Sequence, residues 1–520
     1  MAGKRDQWGS RLGIIMAVAG SAIGLGNFLR FPAKAAANGG GAFMIPYLIS
    51  LFLLGIPLMW IEWTLGRYGG GFEHGTAPGI FHSVWKKNRF IKYFGIIGIF
   101  GPMVILSYYC YIESWTLAYS FFALTGTTTT ITDQATMQSF LRGFQGLENN
   151  RFFHGGGPAY VFFLITFVIN IWVIYYGIKG GIERLCKWAM PLLFICGFIL
   201  MLRVLSLGTP DPSKPGWNIT NGLGFLWNPD FSALKSAKVW LEAAGQIFFT
   251  LSVGIGVILT YASYLSKGDD VVLSGLTAAG TNELAEVILG GCIVIPAAFV
   301  FFGPTEIEAV SRSGVFNLGF VTMPLVLNSL PLSVFFGFVW FFLLFLAGVT
   351  SSISLSQPAV AFLEDEFNIG RKKAVLIFAA VIFILCQPAV FFLKNGVVDE
   401  LDFWGGTFFL VLFATIETLL FAWVFGMEKA WDEIHKGADM RVPRVYKFII
   451  KYITPLFLFC ILGMWLWQEW RPIIFMKNVA AANKPFILAT RAGLLAIFAV
   501  LAVSVKVSWS RKNKQAERIR

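Results

Sequence analysis

Twelve apolar runs follow one another between Ile14 and Val505, and every interval between them carries Gly, Pro or charged residues. Each run is close to the roughly 20 residues that a helix needs to cross the hydrocarbon core of a bilayer. They fall at 12–35, 41–67, 90–124, 160–178, 189–206, 240–265, 272–302, 333–364, 374–393, 403–424, 447–470 and 485–508. The pattern predicts an all-α polytopic membrane protein with twelve transmembrane helices. Composition agrees: at 56% hydrophobic residues, 16% aromatic residues and a mean hydropathy of +0.69, the chain has too few polar side chains to cover a soluble domain. Residues 1–520 read as a single membrane domain. The first run lacks a small-residue cleavage site and continues into Gly-rich sequence, so it reads as a working span and not as a removable signal.

A net charge of +12 could point to nucleic acid, but the basic residues cluster at the ends of spans. Lys4, Arg5 and Arg11, then Lys86, Lys87 and Arg89, then Arg371, Lys372 and Lys373, and finally Arg511, Lys512 and Lys514 follow the positive-inside rule instead. An even number of spans puts both termini on one side, and these clusters make that side the cytoplasm of a cell's inner (plasma) membrane. The Thr-rich 125–158 segment then lies outside. Cys110, Cys186, Cys196, Cys292, Cys386 and Cys460 lie in or at the edge of spans without metal or redox spacing, and read as small apolar packing residues. All four histidines (His74, His82, His154 and His435) fall in predicted loops. With no buried imidazole cluster, no Ser/His/Asp grouping and no phosphate-cradling loop, the chain does not read as an enzyme.

Two spans are interrupted in the same way. The first contains Gly24-Leu25-Gly26 and the sixth Gly254-Ile255-Gly256, each beside hydroxyl or amide side chains. Each glycine costs a helix roughly 1 kcal/mol against alanine. Backbone groups freed at membrane depth must find partners in protein or in a water-lined cavity. Close helix packing through small residues is the competing explanation, and it suffices for Gly13 and Gly20 taken alone. Five spans separate the two copies, an odd number, so the second is inserted upside down. This predicts two inverted five-helix repeats, 12–206 and 240–424, with helices 1 and 6 unwound at mid-membrane and two additional helices over 447–508. Paired broken helices of this kind point to a secondary transporter with its site near the midplane.

The ends of a broken helix offer N–H groups to an anion and carbonyls to a cation. Around them Ser21, Asn27, Thr250, Ser252, Asn282, Thr350 and Ser351 supply neutral oxygens, the donor type that hard ions prefer. No acid lies in the broken stretch of helix 1, where Gly24 stands. A cationic amine lacking a carboxyl group would need one there, so the substrate is expected to bring its own carboxylate, which could complete a cation's coordination beside Asn27, Thr250 and Asn282. Acids inside spans are costly and functional by default. Of Glu62, Glu113, Glu286 and Glu417, only Glu286 shares a face with the site, one turn after Asn282. For the other three, a structural carboxylate held by backbone or hydroxyl donors explains as much.

Three blocks carry a resemblance: Trp8-Gly9-Ser10-Arg11-Leu12-Gly13 with Gly24-Leu25-Gly26-Asn27-Phe28-Leu29-Arg30-Phe31-Pro32; Gly245-Gln246-Ile247-Phe248-Phe249-Thr250-Leu251-Ser252; and Ala347-Gly348-Val349-Thr350-Ser351-Ser352. The chain resembles the neurotransmitter:sodium symporter family, and within it the bacterial, leucine-transporter-like branch. The resemblance weakens in 125–158 and after about 470. It implies a single transporter domain that carries an amino acid with two sodium ions. In the first ion site, the Ala22 carbonyl, Asn27, Thr250 and Asn282 would join the substrate carboxylate. In the second, the carbonyls of Gly20, Ile23 and Ala347 would join the hydroxyls of Thr350 and Ser351. Back-bonding to the preceding helical turn is the bland alternative for those two hydroxyls.

The resemblance further implies that substrate lies against Ser21, Ala22, Leu25, Gly26, Ile105, Tyr109, Phe249, Thr250, Ser252, Ile255, Ser351 and Leu355. Tyr109 would hold the carboxylate and Phe249 would close over the molecule. Arg30 with Asp402 would form an outer gate, and Arg5 with Asp365 an inner one assisted by Trp8, Ser263 and Tyr264. Glu286 stands where chloride-dependent relatives lack an acid, which implies chloride independence. Ser21 stands for an amide of that branch, Ile255 for an aromatic ring, Leu355 for an isoleucine and Ser354 for an alanine. The side-chain pocket is therefore altered, and a neutral, largely apolar amino acid is the expected substrate. Partners are that small molecule and the lipid bilayer, with a homodimer allowed and no nucleic acid. A sodium-independent exchanger and a substrate-sensing protein of the same fold are the alternatives.

Overall fold

The structure is a computed structural model that describes residues 7–468 and 470–519. Arg5, assigned above to the inner gate, lies outside the described residues. Among those residues the regular structure is helical with no strand, and ten helices are long and apolar enough to cross a membrane, or eleven when one bent pair counts as a single span.

We number the bent pair α1 (Arg11–Ala22) and α2 (Gly26–Ala37), which meet at 45°. The next four are α3 (Gly41–Gly70), α4 (Ile91–Leu124), α5 (Gly157–Tyr175) and α6 (Ile178–Leu205). Two short helices follow, α7 (Ala237–Thr250) and α8 (Val257–Ala262). The remainder are α9 (Val271–Ala309), α10 (Ser333–Phe367), α11 (Arg371–Phe391), α12 (Val397–Ile434), α13 (Val445–Gln468) and α14 (Ala481–Lys512). The expected span at 240–265 is absent from the count of long helices because it is split into α7 and α8, neither long enough alone. The 125–158 segment, read as a loop, contains a helix over Gln134–Phe144 capped by the Asp133 side chain.

Packing separates a centre from a rim. α4 and α10 form the most extensively packed pair, and α1 lies against α6, α9 and α10, while α7 and α8 both lie against α3. Every residue in the most apolar stretch of α4 is buried, against 22% in α13 and 11% in α14, which places the last two helices at the periphery. Five cysteines are buried as expected of packing residues, but Cys460 is exposed on α13, where an apolar side chain faces the surroundings and not a core.

The two interruptions use their glycines differently. α1 stops at Ala22, Ile23 is extended, and the chain resumes as a widened turn over Gly26–Arg30. Neither Gly24 nor Gly26 has a positive φ; what they supply is room, since a Cβ on Gly26 would come within 2.5 Å of the Phe249 ring. Between α7 and α8 the need is conformational as well as spatial, since a Cβ on Gly254 would come within 2.7 Å of the Leu410 carbonyl and one on Gly256 within 2.5 Å of the Gly98 carbonyl. Ser252, Gly254 and Gly256 have φ of 53°, 76° and 78°, the left-handed region that glycine enters without penalty. Gly13 and Gly20 are packing glycines, the first against the Glu183 carboxylate and the second 3.2 Å, by its absent Cβ, from Thr350 and Met190.

Candidate substrate and cation site

The broken segments bring backbone and side-chain oxygens to one place. Where α1 ends, its last carbonyls lose their helical donors. Ser351 of α10 reaches the carbonyls of Ser21 at 3.2 Å and Gly20 at 3.4 Å, and Ser252 donates to the Ser21 carbonyl at 2.9 Å. The freed N–H groups are met too. Gly24 N–H donates to Asn27 Oδ1 at 2.9 Å, Leu25 N–H to the Tyr109 hydroxyl at 3.1 Å, and Gly254 N–H to Glu62 Oε1 at 2.5 Å. Glu62 thus meets a backbone N–H that the second interruption frees.

A second cluster lies beside the first. Asn27 Nδ2 donates to Asn282 Oδ1 at 2.8 Å and Thr250 Oγ1 at 3.2 Å, and Asn282 Nδ2 reaches Thr250 Oγ1 at 3.0 Å. The Gly24 N–H fixes the Asn27 amide with its oxygen toward helix 1, since the flipped amide would oppose two donors. Glu286 accepts from Gln246 Nε2 at 2.5 Å and from the Thr250 hydroxyl. Tyr47 donates to the neighbouring Glu283 at 2.8 Å, an acid that the sequence reading did not single out. Asn27, Thr250, Asn282 and Glu286 are all buried to 1% exposure or less, so these groups depend on one another and not on water.

The donor set fits a small hard cation: amide, hydroxyl and carbonyl oxygens, with no thiolate or imidazole competing. At the expected second ion site, Thr350 donates to the carbonyls of Leu346 at 3.0 Å and Ala347 at 3.2 Å. That back-bond uses the hydroxyl hydrogen and leaves the oxygen's lone pairs available, so it is compatible with cation binding.

Ser21, Ala22, Gly26, Ile105, Tyr109, Phe249, Ser252, Ile255, Ser351 and Leu355 of the expected substrate contacts line one cavity of about 40 Å³, together with Gly24, Asn27 and Leu410. Leu410 escaped the sequence reading because nothing distinguishes it from other apolar residues of α12. Leu25 lines a neighbouring cavity of about 210 Å³ with Arg30, Lys34, Tyr108, Asp399 and Asp402. Arg30 stacks over Phe249 at 4.3 Å, and Asp402 accepts from the Tyr108 hydroxyl at 2.6 Å. The two expected outer-gate residues thus face one cavity, each held by an aromatic neighbour. At the other end of the bundle, Trp8 Nε1 donates to the Tyr261 carbonyl at 3.0 Å, Gln357 donates to the Tyr264 hydroxyl at 2.9 Å, and Ser263 donates to the Thr260 carbonyl at 2.6 Å. Glu113 binds Asn170 at 3.0 Å and Ser352, whereas the carboxyl group of buried Glu417 faces that of Glu62.

A bundle of membrane-length helices with a polar, oxygen-rich site buried between interrupted helices is the build of a membrane transporter. The sequence pattern of the sodium:neurotransmitter symporter family matches residues 5–135 and 125–508. An uncharacterized sodium-dependent transporter of Methanocaldococcus jannaschii is 32% identical over 476 residues, spanning 88% of this chain and 89% of its own. The sodium-dependent dopamine transporter of Caenorhabditis elegans is 26% identical over 500 residues, spanning 87% and 79%. The crystal structure of MhsT in complex with L-phenylalanine is similar with a TM-score of 0.76 at 31% identity, covering 88% of this chain and 99% of that one. The chain belongs to the sodium:neurotransmitter symporter family, a family of sodium-coupled transporters and not of enzymes.

Proposed function

We propose that the chain carries a neutral, largely apolar amino acid together with two sodium ions by alternating access, without a chloride requirement. The observation that carries this reading is the neutral-oxygen cluster between the two broken helices, with Gly24 in the place where a carboxyl-less amine would need an acid. An amino acid supplies that charge itself. MhsT, with L-phenylalanine bound, supports an amino acid over an amine. The carboxylate would join Ala22, Asn27, Thr250 and Asn282 around the first ion; Gly20, Ile23, Ala347, Thr350 and Ser351 would hold the second. Only the first ion touches substrate, so each would strengthen the other's binding by the same factor.

In this reading α7 and α8 are the two halves of a twelfth span, helices 1–5 and 6–10 are inverted repeats, and both termini are cytoplasmic. Arg30 and Asp402 close the outer side over Phe249, and Asp365 with Trp8, Ser263 and Tyr264 closes the inner. Exposed ion pairs contribute under about 1 kcal/mol, which suits gates that must reopen every cycle.

Proteoliposomes should concentrate labelled amino acid under an inward sodium gradient and stop when the gradient is collapsed. A pure sensor would show binding without accumulation. Back-bonding by Thr350 favours a second reading, a sodium-independent exchanger in which that hydroxyl is structural. Replacing Thr350 and Ser351 together by alanine decides between them: about a tenfold or greater fall in gradient-driven uptake is expected here, from two hydroxyl ligands at about 1 kcal/mol or more each, and no change under the exchanger. Exchanging chloride for gluconate at fixed sodium should leave uptake unaltered, because the Glu286 carboxyl group beside Thr250 would stand in for the chloride ion; a steep dependence on chloride would refute that part.

A further inference from the structure

We propose that Ser21 and Ser354 together form a hydrogen-bond acceptor for the end of the substrate's side chain, selecting neutral amino acids whose ring carries an N–H or O–H. The inference rests on the reading of the Ser21-lined cavity as an amino-acid site and narrows its substrate class.

The argument is a count of hydrogens. Ser354 Oγ lies 2.7 Å from the Ser351 carbonyl and 2.7 Å from Ser21 Oγ. A carbonyl cannot donate, so the Ser354 hydrogen goes to Ser351, and the contact between the two hydroxyls can be made only by the hydrogen of Ser21. Ser21 Oγ is then left with lone pairs and no hydrogen to offer. No donor reaches it among the described residues, and at 4% exposure it has little water to turn to. Ser21 lines the cavity whose apolar walls include Ile105, Ile255 and Leu355. A buried acceptor in an otherwise apolar pocket favours a ligand that brings a donor and penalises one of the same shape that does not. An apolar body tipped with one donor is what this lining favours, and an indole or a phenol is such a group.

The test is sodium-dependent competition on the full-length protein in proteoliposomes. Tryptophan is compared with 3-benzothienylalanine, in which sulfur replaces the indole N–H at nearly constant shape, and tyrosine with phenylalanine. Tryptophan should bind roughly tenfold tighter than its sulfur analogue, the scale of one neutral hydrogen bond in a buried site. Ser21→Ala should bring that ratio close to one, mainly by weakening tryptophan. Ser354→Ala provides a second route, since it frees the Ser21 hydrogen and should also shrink the ratio. Equal affinities in the parent protein, or a ratio unchanged in both variants, would overturn the proposal. If phenylalanine binds with sodium while the ratio is one, only this inference fails; if no amino acid binds in a sodium-dependent way, the proposed function falls with it.

Discussion

Gly24→Ala is expected to lower sodium-driven uptake by about a hundredfold while leaving the chain folded, because overpacking costs of about 1–3 kcal/mol fall on two groups of the site at once. The added methyl would lie 2.8 Å from Ser351 Oγ and 3.0 Å from the Tyr109 hydroxyl. Backbone strain is not the cause, since φ at Gly24 is negative and alanine adopts it freely. What must move are the two side chains. Tyr109 would leave the Leu25 N–H that it accepts at 3.1 Å, and Ser351 would leave the carbonyls of Ser21 and Gly20. In the proposed mechanism the first holds the substrate carboxylate and the second the second sodium ion. A loss of about 1.4 kcal/mol in each multiplies to two orders of magnitude. Initial uptake of labelled amino acid at fixed sodium measures this, with the thermal midpoint as a control for folding. Uptake within threefold of the parent would show that the space at Gly24 is not what the site requires.

How far this site was legible in the sequence depended on what kind of signal each residue gives. The spans were readable because hydropathy is a sum over some 20 residues and tolerates local exceptions. The interruptions were readable because Gly-x-Gly recurs beside hydroxyl and amide groups in two spans five apart, but their separate reasons were not. Gly254 and Gly256 answer to backbone torsion and also to the close approach of the Leu410 and Gly98 backbones, whereas Gly24 and Gly26 answer only to side chains contributed by other helices, Ser351, Tyr109 and Phe249. Torsion is a local property; clearance is a property of the assembled bundle. Ser252 was read for its hydroxyl, and its left-handed φ of 53° gave no sign, because serine does not announce that conformation as glycine does. The 240–265 run was apolar enough to be read as one span, yet hydropathy does not register that six residues inside it leave the helix. Glu283, one residue beyond Asn282 and bonded to Tyr47, was passed over because its partner comes from a distant helix. Tyr108 and Asp399 of the outer cavity were missed for the same reason.

Asn27→Leu is expected to abolish the response of substrate binding to sodium, with no rise up to concentrations that saturate the parent protein. Heavy-atom count and branching are kept, but two methyl groups are bulkier than the amide's oxygen and nitrogen, so some overpacking of this buried position adds to the loss of hydrogen bonding. The substitution would strip Gly24 N–H of its acceptor and Asn282 Oδ1 of a donor, both buried, at about 1–3 kcal/mol each. Asn27→Asp is the informative contrast: an oxygen still faces Gly24, and the Asn282 amide can turn its Nδ2 toward the new carboxylate, so part of the sodium response should survive. Because the leucine variant will also be less stable, absolute affinity is a poor readout. The better one is internal to each protein, the rise in thermal midpoint when choline is exchanged for sodium. A ligand that binds only the folded state adds RT ln(1 + [L]/Kd) to its stability whatever that stability is to begin with. The parent should therefore show a sodium-dependent shift without substrate and a larger one with it, the aspartate variant a reduced shift, and the leucine variant at most the part due to the second ion, with no further gain when substrate is added. A leucine variant that keeps the full synergy between sodium and substrate would mean that the ion coupled to substrate does not sit at the Asn27–Thr250–Asn282 cluster, since the substitution removes the Asn27 side-chain oxygen altogether.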